Sequence, residues 1–271
     1  MTGWARGAFL ALVALTALAY VAASLSADVA WATVFDNIQW NLAFGVSAWL
    51  AWRGVARSAV ADRPLRKGLF LGAVLIFLGQ LVWIVQEVSG RNPFPAPADG
   101  LFLLAAVTWI ASWLQALVQG LDKKRMGATL LDIGGALSAL LAATLMLYLP
   151  SQADMDFLRL LVLVLYPVLF LLAAGLSFFV VPALGLRASG PHGLVLAGIT
   201  GYGLSWMHWN LLALEGALAA GSLHHISFTV SALLLGWGAH FIRLEPGKPD
   251  SRWSRRTLAY LPLGAMALAL L

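Results

Sequence analysis

Eight apolar runs of about twenty residues, each cut from the next by a short polar stretch, decide most of what this chain can become. They lie at about 8–26, 38–56, 68–88, 100–119, 128–149, 157–182, 193–215 and 224–242. A helix needs about 20 mostly apolar residues to cross the hydrocarbon of a bilayer. In lipid every backbone N–H and C=O must find a partner inside the structure, and a single run achieves that only as a helix. Composition agrees, because 61% of the 271 residues are hydrophobic and 11% are charged. A soluble domain carries roughly 25% charged residues. The expected fold is therefore all-α, a polytopic helix bundle of eight spans.

A ninth apolar run opens at Thr257 and the sequence ends within it, at Leu271. It is short for a span, so the natural polypeptide is expected to continue. The expected organisation is a transmembrane bundle over 1–242, a basic loop over 243–256 and the start of a ninth helix over 257–271. The first run follows Arg6 and precedes small residues, as in a signal peptide. Its apolar core is longer than the roughly 7–15 residues of a signal h-region, so it is read as an uncleaved helix.

The basic residues test this segmentation. All but Arg91 and Arg159 fall in the N-terminal segment or in alternate loops, from Arg53–Lys67 through Lys123–Arg125 and Arg187 to Arg243–Arg256. The positive-inside rule then places the N-terminus and those loops in the cytoplasm. The opposite loops and helix ends carry Asp28, Asp36, Glu87, Asp99, Asp154, Asp156 and Glu215. The net charge of +5 and pI near 9.9 suit anionic lipid headgroups, and no nucleic-acid partner is expected. The absence of cysteine excludes disulfides, thiolate metal ligands and thiol catalysis. Small residues recur at close-packing spacing, at Gly68, Gly72 and Gly79 and at Ala197, Gly201 and Ser205. They let helix backbones approach, or mark a homodimer face.

Polar groups at membrane depth need partners. In the third run Gln80, Trp83 and Glu87 share one helical face. The second run offers Asn37, Trp40 and Asn41, and the seventh passes through Trp206, His208, Trp209 and Asn210 to Glu215. The topology gives all of them one depth, in the outer half. One reading is an aromatic-walled pocket for a small periplasmic or membrane ligand, formed by Trp40, Asn41, Gln80, Trp83, Glu87, His208 and Trp209. The other is interhelical hydrogen bonding with an interfacial tryptophan belt.

His208, His224 and His225 lie near one depth and are the candidates for a metal or haem site. They show neither an i, i+4 histidine pair nor His-x-x-Glu spacing. The cofactor, if any, is not defined by the sequence. Asp132, near the start of the fifth run, is read as a partner for Lys124, Arg125 or a neighbouring helix. Asp99 directly precedes the fourth run and can cap it. Pro93, Pro95 and Pro97 in PFPAPAD stop the third helix, and Pro167 is expected to kink the sixth. No lysine falls within an apolar run, no phosphate loop or Gly-x-Ser-x-Gly elbow is present, and no catalytic motif can be assigned.

The stretch PFPAPADGLFLL resembles a Pro-Phe-Pro-Ser-x-Ala-Asp-x-x-Tyr-Leu signature of a multi-pass bacterial membrane domain. That domain precedes PAS, GGDEF and EAL modules, and sometimes histidine kinases. Leu131-Asp132, Tyr166-Pro167 and RTLAYLP from Arg256 to Pro262 are further points of resemblance, in the same order along the chain. Ala96 stands in place of the signature serine and Phe102 in place of the tyrosine. Helix four lacks the tyrosine–proline that usually follows, and Phe170 replaces an aspartate expected after Tyr-Pro. The resemblance implies ten helices in all and a sensory or anchoring domain in the bacterial inner membrane. It also implies an output domain in cis that makes, breaks or binds cyclic di-GMP. Two other expectations stay open, a stand-alone transporter or membrane enzyme and a haem or metal protein.

Overall fold

The computed structural model describes residues 3–91, 93–121, 123–148 and 156–244, which form helices and short connections with no strand among them. In order they are α1 (Gly3–Leu25), α2 (Val29–Ala56), α3 (Arg63–Val88), α4 (Pro97–Gly120), α5 (Lys123–Tyr148), α6 (Phe157–Ala183), α7 (Gly190–Leu214) and α8 (His225–Phe241). Each expected apolar run lies on one of these helices. The ninth run and the loop from 245 onward lie outside the described residues, as does the side chain of Asp132.

Helix starts follow from local chemistry. Asp28 caps α2, its Oδ1 accepting from the N–H groups of Ala30 and Trp31 at 2.8 and 3.2 Å. Asp156 caps α6 by accepting from Leu158 N at 3.0 Å. Pro64, Pro97 and Pro191 occupy the first turns of α3, α4 and α7, where a missing N–H costs nothing.

Helices α2, α3, α4, α6, α7 and α8 close a ring in which each packs on the next and α8 returns to α2. Helix α1 packs outside against α2, and α5 outside against α6. The neighbour pattern of the first four helices is repeated by the last four. Helix α1 meets α2 as α5 meets α6, α2 meets α3 as α6 meets α7, α3 meets α4 as α7 meets α8, and α2 meets α8 as α6 meets α4. A four-helix unit is thus used twice, although no repeat is visible in the sequence. Both units contain an even number of helices, so they run in the same sense.

Small residues set the closest approaches in both units. A Cβ on Gly72 of α3 would lie 2.0 Å from Trp109 Nε1 of α4, and one on Gly68 would strike Ser112 Oγ. On α7, a Cβ on Gly198 would lie 2.6 Å from Leu235 N of α8. The glycine spacing seen in the sequence is therefore intramolecular packing. Trp109, Trp113, Tyr166 and Phe170 are fully buried in the ring's core.

Among the described residues five helices are long and apolar enough to cross a membrane: α1 over Gly7–Leu25, α3, α4, α5 over Met126–Met146, and α6. The bundle exposes large apolar side chains on its outside, among them Leu10, Leu18, Val85, Leu131 and Phe157. These are features of a membrane protein. Of the eight spans expected, α2, α7 and α8 fall outside this set by length and composition. Helix α8 has 17 residues, and α2 and α7 bury polar residues inside the ring, including Asp36, Asn37, Gln39 and Asn210. Hydropathy falls where a helix turns polar groups toward its neighbours instead of lipid.

At the end of the ring formed by the starts of α3 and α7 and the ends of α2 and α8, a buried cation closes the structure. Arg66 donates from Nη1 to Gly54 O at 2.7 Å and His240 O at 3.2 Å, and from Nη2 to Ile242 O. These carbonyls belong to the last turn of α2 and the end of α8, where helices leave acceptors unpaired and favour positive charge. Asp62 accepts from Leu244 N at 2.7 Å beside it. His240 Nδ1 lies 3.1 Å from Leu50 O and His192 Nε2 lies 2.7 Å from Arg243 O, so both histidines are held by backbone.

Candidate functional site

The opposite end of the ring holds a cavity of about 480 Å³. It is bounded by the starts of α2, α4, α6 and α8 and the ends of α3 and α7. Trp40, Trp83, Trp206, Trp209 and Tyr166 give it aromatic walls, and Asp36, Glu87 and Asp99 supply carboxylates. Phe94, Leu218 and Arg159 also line it and are themselves exposed, so the cavity reaches the surface.

Polar contacts tie four helix pairs around the cavity. Asn37 Nδ2 donates to Glu87 Oε2, and Gln80 Nε2 donates to Asn37 Oδ1 at 3.1 Å, tying α2 to α3. His225 Nδ1 lies 2.7 Å from Asp36 Oδ2, with both side chains almost wholly buried, tying α8 to α2. Asp36 also accepts from Gln39 Nε2 at 2.8 Å and from Gly221 N at 2.6 Å. Gly221 has φ +73°, a conformation that suits a residue without Cβ, and a Cβ there would lie 2.4 Å from Ala23 O. Tyr166 OH donates to Asp99 Oδ1, tying α6 to α4. Asn210 Nδ2 donates to Leu163 O at 3.0 Å, tying α7 to α6.

PFPAPAD has two roles here. Pro97 opens α4, and Asp99 in its first turn accepts from Ala96 N at 2.6 Å through Oδ2. Ala96 has no hydroxyl to return the bond, and its carbonyl instead accepts from Asp99 N at 3.0 Å. Asp99 was expected to precede the helix and cap it, but Ala96 holds the N-cap position and Asp99 sits within the first turn, bonding back to Ala96 N. The same carboxylate, with Pro93 and Phe94, also forms the cavity wall. The Phe94–Pro95 peptide is cis. The stretch is thus both a corner and a wall, a larger part than the helix stop read from the sequence.

The sequence-derived pocket set is partly brought together. Trp40, Trp83, Glu87 and Trp209 line the cavity. Gln80 lines a smaller adjoining space with Phe44, Phe102, Tyr202 and Phe228. Asn41 turns back along its own helix, donating to Asn37 O at 2.8 Å, and does not line the cavity. His208 is exposed and lies outside it, its ring edge-on to His224 with centroids 5.5 Å apart. One helical turn cannot aim both His208 and its neighbours Trp206, Trp209 and Asn210 inward, and the tryptophans win the buried face. Asp36, Asp99, Tyr166, Asn210 and His225 are lining residues that the pocket expectation lacked.

For a metal site, the described residues contain no group of three or more histidine, aspartate or glutamate side chains placed to hold an ion. His225 is committed to Asp36 through Nδ1, and His224 precedes α8 with its ring 4.2 Å from that of His225. Helix α6 continues through Pro167. Proline leaves the carbonyl four residues earlier without a helical donor, and that carbonyl, Leu163 O, is the one Asn210 bonds. Phe170, in the place of the expected aspartate, is fully buried among Trp109, Tyr166 and Tyr202.

Comparison with family models, with curated proteins and with solved structures returned no match to this chain.

Proposed function

We propose that this chain is the membrane-embedded sensory domain of a bacterial signalling protein. In this reading it lies in the inner membrane with its N-terminus in the cytoplasm and all eight helices spanning. Its cavity faces the periplasm and takes a small ligand, and the chain past α8 carries the signal to a cytoplasmic output that makes or breaks cyclic di-GMP. The proline–aspartate stretch and the Tyr166-Pro167 pair support the family reading, and the alternating loop charges support the orientation.

The observation that carries the proposal is the course of α2 and α8. Both begin at the cavity, joined there by Asp36 and His225, and both end at Arg66, joined there through Gly54 O, His240 O and Ile242 O. A ligand that favours one packing of the α2–α8 pair over another would shift the Arg66 end, because it biases a shared rigid element. The test is a fusion of the chain to a diguanylate cyclase, with cellular cyclic di-GMP as the readout. Glu87→Gln and Asp99→Asn should each change output by several-fold while the protein stays in the membrane at unchanged level. Output indifferent to both changes would refute the sensory role.

A second reading, a transporter, is favoured by the repeated four-helix unit with a cavity between its copies. Against it, the cavity lies at one end and tightly packed aromatic residues close the ring beneath it. Uptake by proteoliposomes of a compound that fills the cavity would favour transport.

A further inference from the structure

We propose that the cavity is selective for a protonated amine carried on an apolar or aromatic body. The inference rests on reading the cavity as a ligand site and names the ligand's chemistry.

Charge gives the first argument. Among the described residues three carboxylates line the cavity, from Asp36, Glu87 and Asp99, against one guanidinium, Arg159. That guanidinium lies on the exposed rim and is 3.6 Å from the carboxylate of Asp156. An anionic ligand would meet carboxylates in excess of cations inside.

The walls give the second. Four tryptophans and Tyr166 surround the space, and indole faces attract ammonium groups more strongly than other rings do. Tyr166 and Trp206 are stacked with centroids 4.0 Å apart, which fixes two of these rings.

Free acceptors give the third. Glu87 Oε2 accepts from Asn37, and among the described residues Oε1 has no partner. His225 is 97% buried, as its 3% exposure gives, and lines the cavity. Its Nδ1 serves Asp36 and its Nε2 has no partner. With the proton on Nδ1, Nε2 is an acceptor. Asn210, which spends its amide N–H on Leu163 O, keeps its carbonyl oxygen for a donor. A ligand with several N–H donors and positive charge satisfies all three. Neither a neutral hydrocarbon nor a carboxylate does so.

The ammonium could belong to a free amine or to a phosphatidylethanolamine headgroup. The experiment titrates tryptophan fluorescence of the full chain in phosphatidylglycerol nanodiscs with phenethylamine, phenethyl alcohol and hydrocinnamate, which share a ring and differ in charge. Phenethylamine should saturate, the alcohol should bind at least about tenfold more weakly, and the carboxylate should not bind. Glu87→Gln should weaken phenethylamine about tenfold and leave the alcohol unchanged. If that variant unfolds at lower temperature, the ranking of the probes on the unaltered chain decides. Equal binding of the three, preference for the carboxylate, or no saturation by the amine would overturn the inference. Adding phosphatidylethanolamine to the nanodiscs should weaken phenethylamine if the headgroup is the occupant, and leave it unchanged if a free amine is. Altered cyclic di-GMP output in the fusion together with a failed ranking would sink the amine and spare the sensor.

Discussion

Asn210 on α7 supplies the hydrogen bond that Pro167 removes from α6, donating its side-chain amide to Leu163 O at 3.0 Å. A carbonyl in a membrane has no water to fall back on, so a neighbouring helix must answer it. Here the answer also places Asn210 in the cavity wall.

Asn210→Leu should therefore destabilise the chain by about 1–3 kcal/mol, the range for stranding one buried acceptor. In a Pro167→Ala background an N–H returns to Leu163 O, and the same substitution should cost less than half as much. Unfolding free energies of the four proteins in mixed micelles give the coupling directly.

Asp36, itself buried, accepts from three donors, on Gln39, Gly221 and His225. Asp36→Ala should cost about 3–5 kcal/mol, the scale for breaking a buried charged network. His225→Phe removes one donor and fills much the same volume, so it should cost less. Thermal unfolding of the two variants side by side should show that order.

Arg66→Met should loosen the ends of α2 and α8 together, because it removes the donor that three carbonyls share. Arg66→Lys should not restore them, since an ammonium lacks the planar fork that reaches all three. Hydrogen exchange over residues 238–244 should speed up about tenfold or more in both variants.

The close packing of the two units predicts a contrast among glycines. Gly72→Ala and Gly198→Ala, whose Cβ atoms would lie 2.0 and 2.6 Å from atoms of the next helix, should each cost about 1–3 kcal/mol. Gly100→Ala and Gly134→Ala meet nothing within 4 Å and should be neutral or stabilising by up to about 1 kcal/mol through helix propensity. Melting temperatures of the four variants decide.

What the sequence settled by itself was local. Runs of apolar length, acidic caps and first-turn prolines set the eight helices, because each of those signals acts within a few residues. Helical spacing also put Gln80, Trp83 and Glu87 on one face, and that face does meet Asn37. The tertiary structure decided how the ring closes, which helices stay outside it, and which polar residues meet. Asp36 and His225 are 189 positions apart and Tyr166 and Asp99 are 67 apart, and no local pattern pairs residues at such distances. Helix α7 shows the reason most clearly. Its polar and apolar residues are spread evenly around the helix, so its sequence has no preferred face. Packing against α6 and α8 turned Trp206, Trp209 and Asn210 inward and left His208 outside.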